Sequence, residues 1–146
     1  MMKNRRPAAF ALAAVIPAAV LLSGCSIVDE VLYQERSVEF ASAADLTTDW
    51  AGSAPWVPDD ATDIRIREKT DGDVVTILVT SDSKLDESLC AEVERRSAPA
   101  FAVEGAPDVF KADDVWACGD WAVVPSDGGW FAWTPNHPDE LAASPS

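Results

Sequence analysis

The sequence predicts an α+β fold: a small antiparallel sheet running hairpin, helix, hairpin, with one helix packed on it and a disulfide stapling the two. Three observations predict it. Ile64 and Ile66 alternate with Arg65 and Arg67, Val74–Thr80 is β-branched almost throughout, and Asp71-Gly72 lies between them. Alternation on both sides of an Asp-Gly step is a hairpin signal. Leu85, Leu89 and Val93 recur at four-residue steps, the spacing of one helix face. Cys90 and Cys118 remain as an even pair once Cys25 is set aside. The chain has 146 residues, 48% of them hydrophobic, too apolar for a disordered acidic polypeptide.

The domain is expected over residues 36–134. Arg36–Phe40 alternates Val38 and Phe40 with charge and reads as a strand. Ser42–Trp50 opens on a good N-cap and reads as a short helix. Gly52–Asp60 holds Pro55 and Pro58 and is irregular. In the first hairpin, Val75, Ile77 and Val79 share a face. A helix is expected over 83–96, with Ser83 as N-cap, Asp86 and Glu87 in its first turn and Arg95 and Arg96 in its last. Pro99 ends it. If that helix does not form, a two-sheet all-β arrangement is the alternative. Ala98–Asp114 is a connection anchored by Phe101, Val103 and Phe110. Val115–Cys118 and Trp121–Val124 read as strands broken at Gly119, and Trp130–Thr134 returns after Ser126-Asp127-Gly128-Gly129. Residues 135–146 contain Pro, Ser and Asn and read as a flexible tail.

All six tryptophans, Trp50, Trp56, Trp116, Trp121, Trp130 and Trp133, lie in this domain or its first helix. Closing the last hairpin on its four-residue turn pairs Val124 with Phe131 and Ala122 with Trp133. Trp121, Val123 and Trp130 then point to the opposite face. A sheet with one helix covers only one face, so these three residues form a candidate surface for an envelope protein or a flat glycan ring. The alternative is that the N-terminal segment or another strand covers them.

Few other motifs carry chemistry. Ser81-Asp82-Ser83-Lys84 contains Ser-x-x-Lys, but the further elements that a penicillin-binding enzyme needs are missing. Asp59, Asp60 and Asp63, and Asp71 with Asp73, lack the Gly and Glu positions of an EF-hand loop. No dinucleotide or phosphate loop is present, and no cofactor or metal is expected. The only histidine, His137, sits in the Pro-flanked tail. No catalytic residue is therefore assigned. A hydrolase using dispersed carboxylates, or an inhibitor using the Trp121/Trp130 face, are the competing classes.

The N-terminal segment is more informative. Met1–Arg6 holds Lys3, Arg5 and Arg6 and no acid, and Ala8–Leu22 is apolar and uncharged. That run is shorter than the roughly 20 apolar residues of a membrane-spanning helix and reads as the h-region of an export signal over residues 1–24. It ends in Leu22-Ser23-Gly24-Cys25. These residues resemble the lipobox of bacterial lipoprotein precursors: an aliphatic residue, two small residues and a cysteine. The resemblance implies cleavage before Cys25 and attachment of a diacylglycerol to its thiol. The stretch Trp56–Ile64 is similar to one in small actinobacterial lipoproteins of no assigned function. Residues 25–35 would then be a tether or short helix.

Export puts Cys90 and Cys118 in an oxidising compartment, so a disulfide is expected, with two buried thiols as the alternative. Closing that loop is worth roughly 3.5 kcal/mol in the chain-entropy account. Lys plus Arg is 11 and Asp plus Glu is 25. Removing Lys3, Arg5 and Arg6 leaves 8 against 25 from Cys25 onward, a formal charge of −17. No nucleic-acid partner suits such a surface, and its overall charge argues against a body that adheres to anionic lipid headgroups. The expectation is a lipoprotein held on the extracytoplasmic face of the cell membrane by acyl chains on Cys25, with a non-catalytic binding or assembly role.

Overall fold

A computed structural model describes residues 34–146; the signal segment, Cys25 and nearly all of the tether lie outside the described residues. Seven strands form one antiparallel sheet: β1 (Glu35–Ser42), β2 (Thr62–Lys69), β3 (Val75–Thr80), β4 (Ala91–Glu94), β5 (Asp114–Cys118), β6 (Trp121–Ser126) and β7 (Gly129–Thr134). Their order across the sheet is β1-β2-β3-β7-β6-β5-β4. Two short helices, α1 (Ala43–Asp49) and α2 (Pro138–Ala143), flank it. The class is α+β, dominated by its sheet.

The β2–β3 hairpin has the expected faces. Ile66 opposes Ile77, and Ile64, Ile66, Val75, Ile77 and Val79 share one buried cluster. The last hairpin closes as its turn dictates, with Ala122 opposite Trp133, Val124 opposite Phe131 and Ser126 opposite Gly129. Asp127 and Gly128 are its two loop residues, and Gly128 takes a φ of 74°, which favours glycine. Gly129 is needed for another reason: a Cβ there would stand 2.0 Å from the Val79 carbonyl oxygen on β3. Ser42 caps α1 by accepting from the Asp45 amide, as its position predicts.

The 83–96 helix does not form. Residues 86–89 make a turn in which the Asp86 carboxylate accepts from the Ser88 amide at 2.8 Å. Ala91–Glu94 then pairs with β5 as an edge strand. Ala91 and Val93 are half-buried while Glu92 and Glu94 are exposed, so the two-residue alternation of Ala-Glu-Val-Glu prevails over the four-residue spacing of Leu85, Leu89 and Val93. Leu89, assigned to the inner helix face, is 40% exposed. The Cys90–Cys118 disulfide is present, and it ties this edge strand, not a helix, to the sheet. Its Cα–Cα distance of 4.2 Å matches directly opposed residues of a non-hydrogen-bonded antiparallel pair.

The chain after residue 135 is also ordered. His137 caps α2 through its Nδ1, and Glu140 returns to the His137 amide in a capping box. Glu140 is 1% exposed and also accepts from the Arg96 amide, the Ser97 amide and the Ser97 hydroxyl. The expected loose tail is instead a docked helix, held by one carboxylate that takes up donors from the β4–β5 side.

Both sheet faces are covered. On one, α1, the Trp50–Ala61 segment and Leu85 close over Ile64, Ile66, Ile77, Val123 and Ala132. On the other, Val103, Ala106, Val109 and Ala112 from the 98–113 connection lie over Leu78, Val115, Val124, Phe131 and Trp133. Val109 is the buried anchor of that connection. Phe110, expected to be one, is 73% exposed. Among the described residues no helix is long and apolar enough to cross a membrane.

Candidate functional site

The candidate face of Trp121, Val123 and Trp130 shares one side of the sheet, as the strand alternation requires, but it is not open. Trp121 is 5% exposed and Val123 fully buried. The Trp121 ring packs edge-on against Trp56 at 5.9 Å between centroids and lies tilted against Trp50 at 6.5 Å. Its indole N–H donates to the Ser53 carbonyl at 3.1 Å. Trp130 donates to the Ser83 carbonyl at 3.0 Å and is half-buried. The face is covered because α1 turns the chain back and the Pro-containing 50–61 segment brings two further indoles onto it. A docking surface centred on Trp121 is thereby corrected to an aromatic core.

The packing leaves a cleft at one end of the sheet. Trp50, Gly52 and Ser53 form one wall, the β2–β3 turn at Gly72 and Asp73 another, and Asp120, Asn136 and Leu141 the third. Its volume is about 460 Å³. Trp50 is positioned from behind: its N–H donates to both Glu68 oxygens, at 3.2 and 3.4 Å, and Arg36 Nε holds the same carboxylate at 2.6 Å. Glu68 is 1% exposed. Asn136 donates to the carbonyls of Gly119 and Trp121, which fixes the turn carrying Asp120. The result is an apolar wall of indole and Leu141 beneath a rim bearing two carboxylates.

What this arrangement can do follows from its groups. Asp73 and Asp120 both stand exposed at the rim, whereas a carboxyl acting as a general acid draws on an apolar, water-poor setting. His137 adjoins the cleft but spends Nδ1 on the Asp139 amide. Ser81, first residue of the Ser-x-x-Lys sequence, donates its hydroxyl to Asp60 at 2.6 Å and serves a turn. Asp60 belongs to that turn too, accepting from the Asp82 amide. Among the described residues, no three His, Cys, Asp or Glu side chains converge as a metal site. A cleft with an aromatic wall and an acidic rim is suited to holding a ligand with an apolar body and a cationic or hydrogen-bond-donating end.

Of the residues singled out in the sequence, the structure brings Trp50, Asp73 and Trp121 to this cleft, where Asp120, not foreseen, joins them. It leaves Val123 and Trp130 away from the cleft walls. Asn136 and Leu141 were missed because the tail was read as loose; the His137-Pro138-Asp139-Glu140 order, a cap followed by Pro and an acid at the third position, was the available signal. The chain matches no protein-family model, and neither the curated proteins nor the solved structures gave a match to it.

Proposed function

We propose that the protein is a lipid-anchored lipoprotein of the bacterial envelope, fixed through Cys25 to the outer face of the cytoplasmic membrane, with a binding or assembly role. One observation carries this reading: Leu22-Ser23-Gly24-Cys25 follows an apolar run of signal length and a basic start. Small residues before the cysteine let the backbone enter a peptidase groove, and the thiol is the nucleophile that alkylation needs. Two acyl chains suffice for stable anchoring, at about 0.8 kcal/mol per buried CH₂. The even cysteine pair joined as a disulfide supports an oxidising, exported location. The indole-walled cleft supports binding over catalysis, because its carboxylates are solvated and the adjoining histidine spends its Nδ1 on the helix cap.

The test is direct. In the bacterial host, Cys25→Ser should abolish incorporation of a fatty-acid analogue and move the protein from the membrane to the soluble fraction. Mass spectrometry of the native product should find a modified amino terminus at Cys25. An unmodified terminus at any other position would refute the anchor.

A further inference from the structure

The 98–113 connection presents an apolar groove on the sheet face away from the tryptophan cluster. Its walls include Phe101, Val103, Ala106, Pro107 and Phe110, and Phe131 of β7 lies at its floor. Its volume is about 280 Å³. Phe110 projects from it, 73% exposed.

The charge around this groove departs from that of the rest of the molecule. Arg67 stacks over Phe101 at 5.5 Å and Arg95 over Phe110 at 5.4 Å. Arg65 donates to the Glu104 carbonyl, and Lys111 stands exposed beside Phe110, 3.8 Å from Asp108. These four are half of the 8 basic residues that follow Cys25. Against them stand Glu104, Asp108 and Asp113 of the connection, with Glu35 and, opposite Arg65, Glu39 alongside. A protein of formal charge −17 beyond its signal is thus close to neutral here, where its exposed phenyl ring lies.

The groove also lies where the chain enters the fold. Glu35, first residue of β1, pairs with Arg67 Nη2 at 2.8 Å, and the same guanidinium covers Phe101. Nine residues, 26–34, separate Glu35 from Cys25. Fully extended, ten steps of about 3.5 Å reach about 35 Å, close to the diameter of a domain of this size. An anchor on so short a leash raises the effective concentration of nearby membrane, so a shallow contact suffices to orient the domain.

We propose that this groove is the face the domain lays on the lipid interface, Phe101 and Phe110 entering the headgroup boundary and the flanking guanidinium groups meeting phosphate. The inference rests on the lipid-anchor reading. The remaining surface, being acidic, faces away from an anionic leaflet, which leaves the indole-walled cleft free for its ligand.

The experiment uses the acylated protein from Cys25 onward in vesicles of phosphatidylcholine and phosphatidylglycerol, followed by amide hydrogen exchange. Exchange over residues 98–113 should slow by roughly tenfold or more relative to Cys25→Ser protein mixed with the same vesicles, while β2 and β3 stay unchanged. The acylated Phe101→Ser/Phe110→Ser variant should return the segment to the free rate with its strands still protected. Unchanged exchange in protein shown by mass to carry lipid on Cys25 would overturn this proposal and leave the anchor standing. Absence of lipid from Cys25 would overturn both. Protection that appears without vesicles and grows with protein concentration would assign the groove to a second copy and overturn the lipid contact.

Discussion

Asp60 shows how a surface carboxylate can hold a turn. The Ser81 hydroxyl keeps its carboxyl below the usual carboxylate value of 3.8; desolvation opposes it less strongly, and Ser83 and the Asp82 amide add smaller lowering effects. A carboxyl lowered in the folded state adds stability above its unfolded value, and that stability is lost as pH falls through the folded one. Resistance to urea should therefore decline below about pH 4, and Asp60→Asn should flatten part of that decline, as denaturation midpoints across the acid range would show. Individual residues were legible in the sequence where one local rule governs them. Ser42 is a cap, and Gly128 a turn glycine. Phe110 was misread because hydrophobicity alone does not say which neighbour turns inward; the 3-10 turn Val109–Lys111 buries Val109 and leaves Phe110 against Arg95.

The β4 edge strand is short and makes its strand pairing only with β5. The disulfide holds its leading end. Replacing both cysteines, Cys90→Ser with Cys118→Ser, should lower the free energy of unfolding by about 3 kcal/mol and speed amide exchange over Ala91–Glu94 more than over β2. Helix α2 depends comparably on Glu140. Removing that carboxylate by Glu140→Ala strands buried backbone donors, at about 2–3 kcal/mol, and should release residues 138–143 to rapid exchange while β7 stays protected. Both hairpins were readable because an Asp-Gly step and alternation agree. The 83–96 segment was not, since it carries two periods at once, and only its long-range pairing with β5 decides between them. The tail failed for a different reason: Pro, Ser and Asn content reads as loose chain, whereas Pro138 is the first helical residue, a position that favours it. The candidate aromatic face was placed on the correct side of the sheet, but its cover comes from residues 50–61, whose path no local pattern encodes.

At the scale of the whole molecule, the chain from Cys25 carries 8 basic against 25 acidic residues, and such an excess works against compactness through self-repulsion. Screening should relieve it: raising salt from about 0.02 to 0.2 M, which shortens the Debye length from roughly 20 to 7 Å, should raise the melting temperature of the disulfide-bonded domain by a few degrees, as calorimetry would record. The strand order carries a further consequence. The centre of the sheet is the union of β3 with β7, in which Val75 meets Thr134 and Thr80 meets Gly129. Until the last third of the chain is delivered, the first three strands have no partner on their inner side, and neither buried cluster can close. A polypeptide threaded amino end first through a narrow channel consequently stays pliable for almost its full passage, and acquires its shape only after the final hairpin has arrived on the far side.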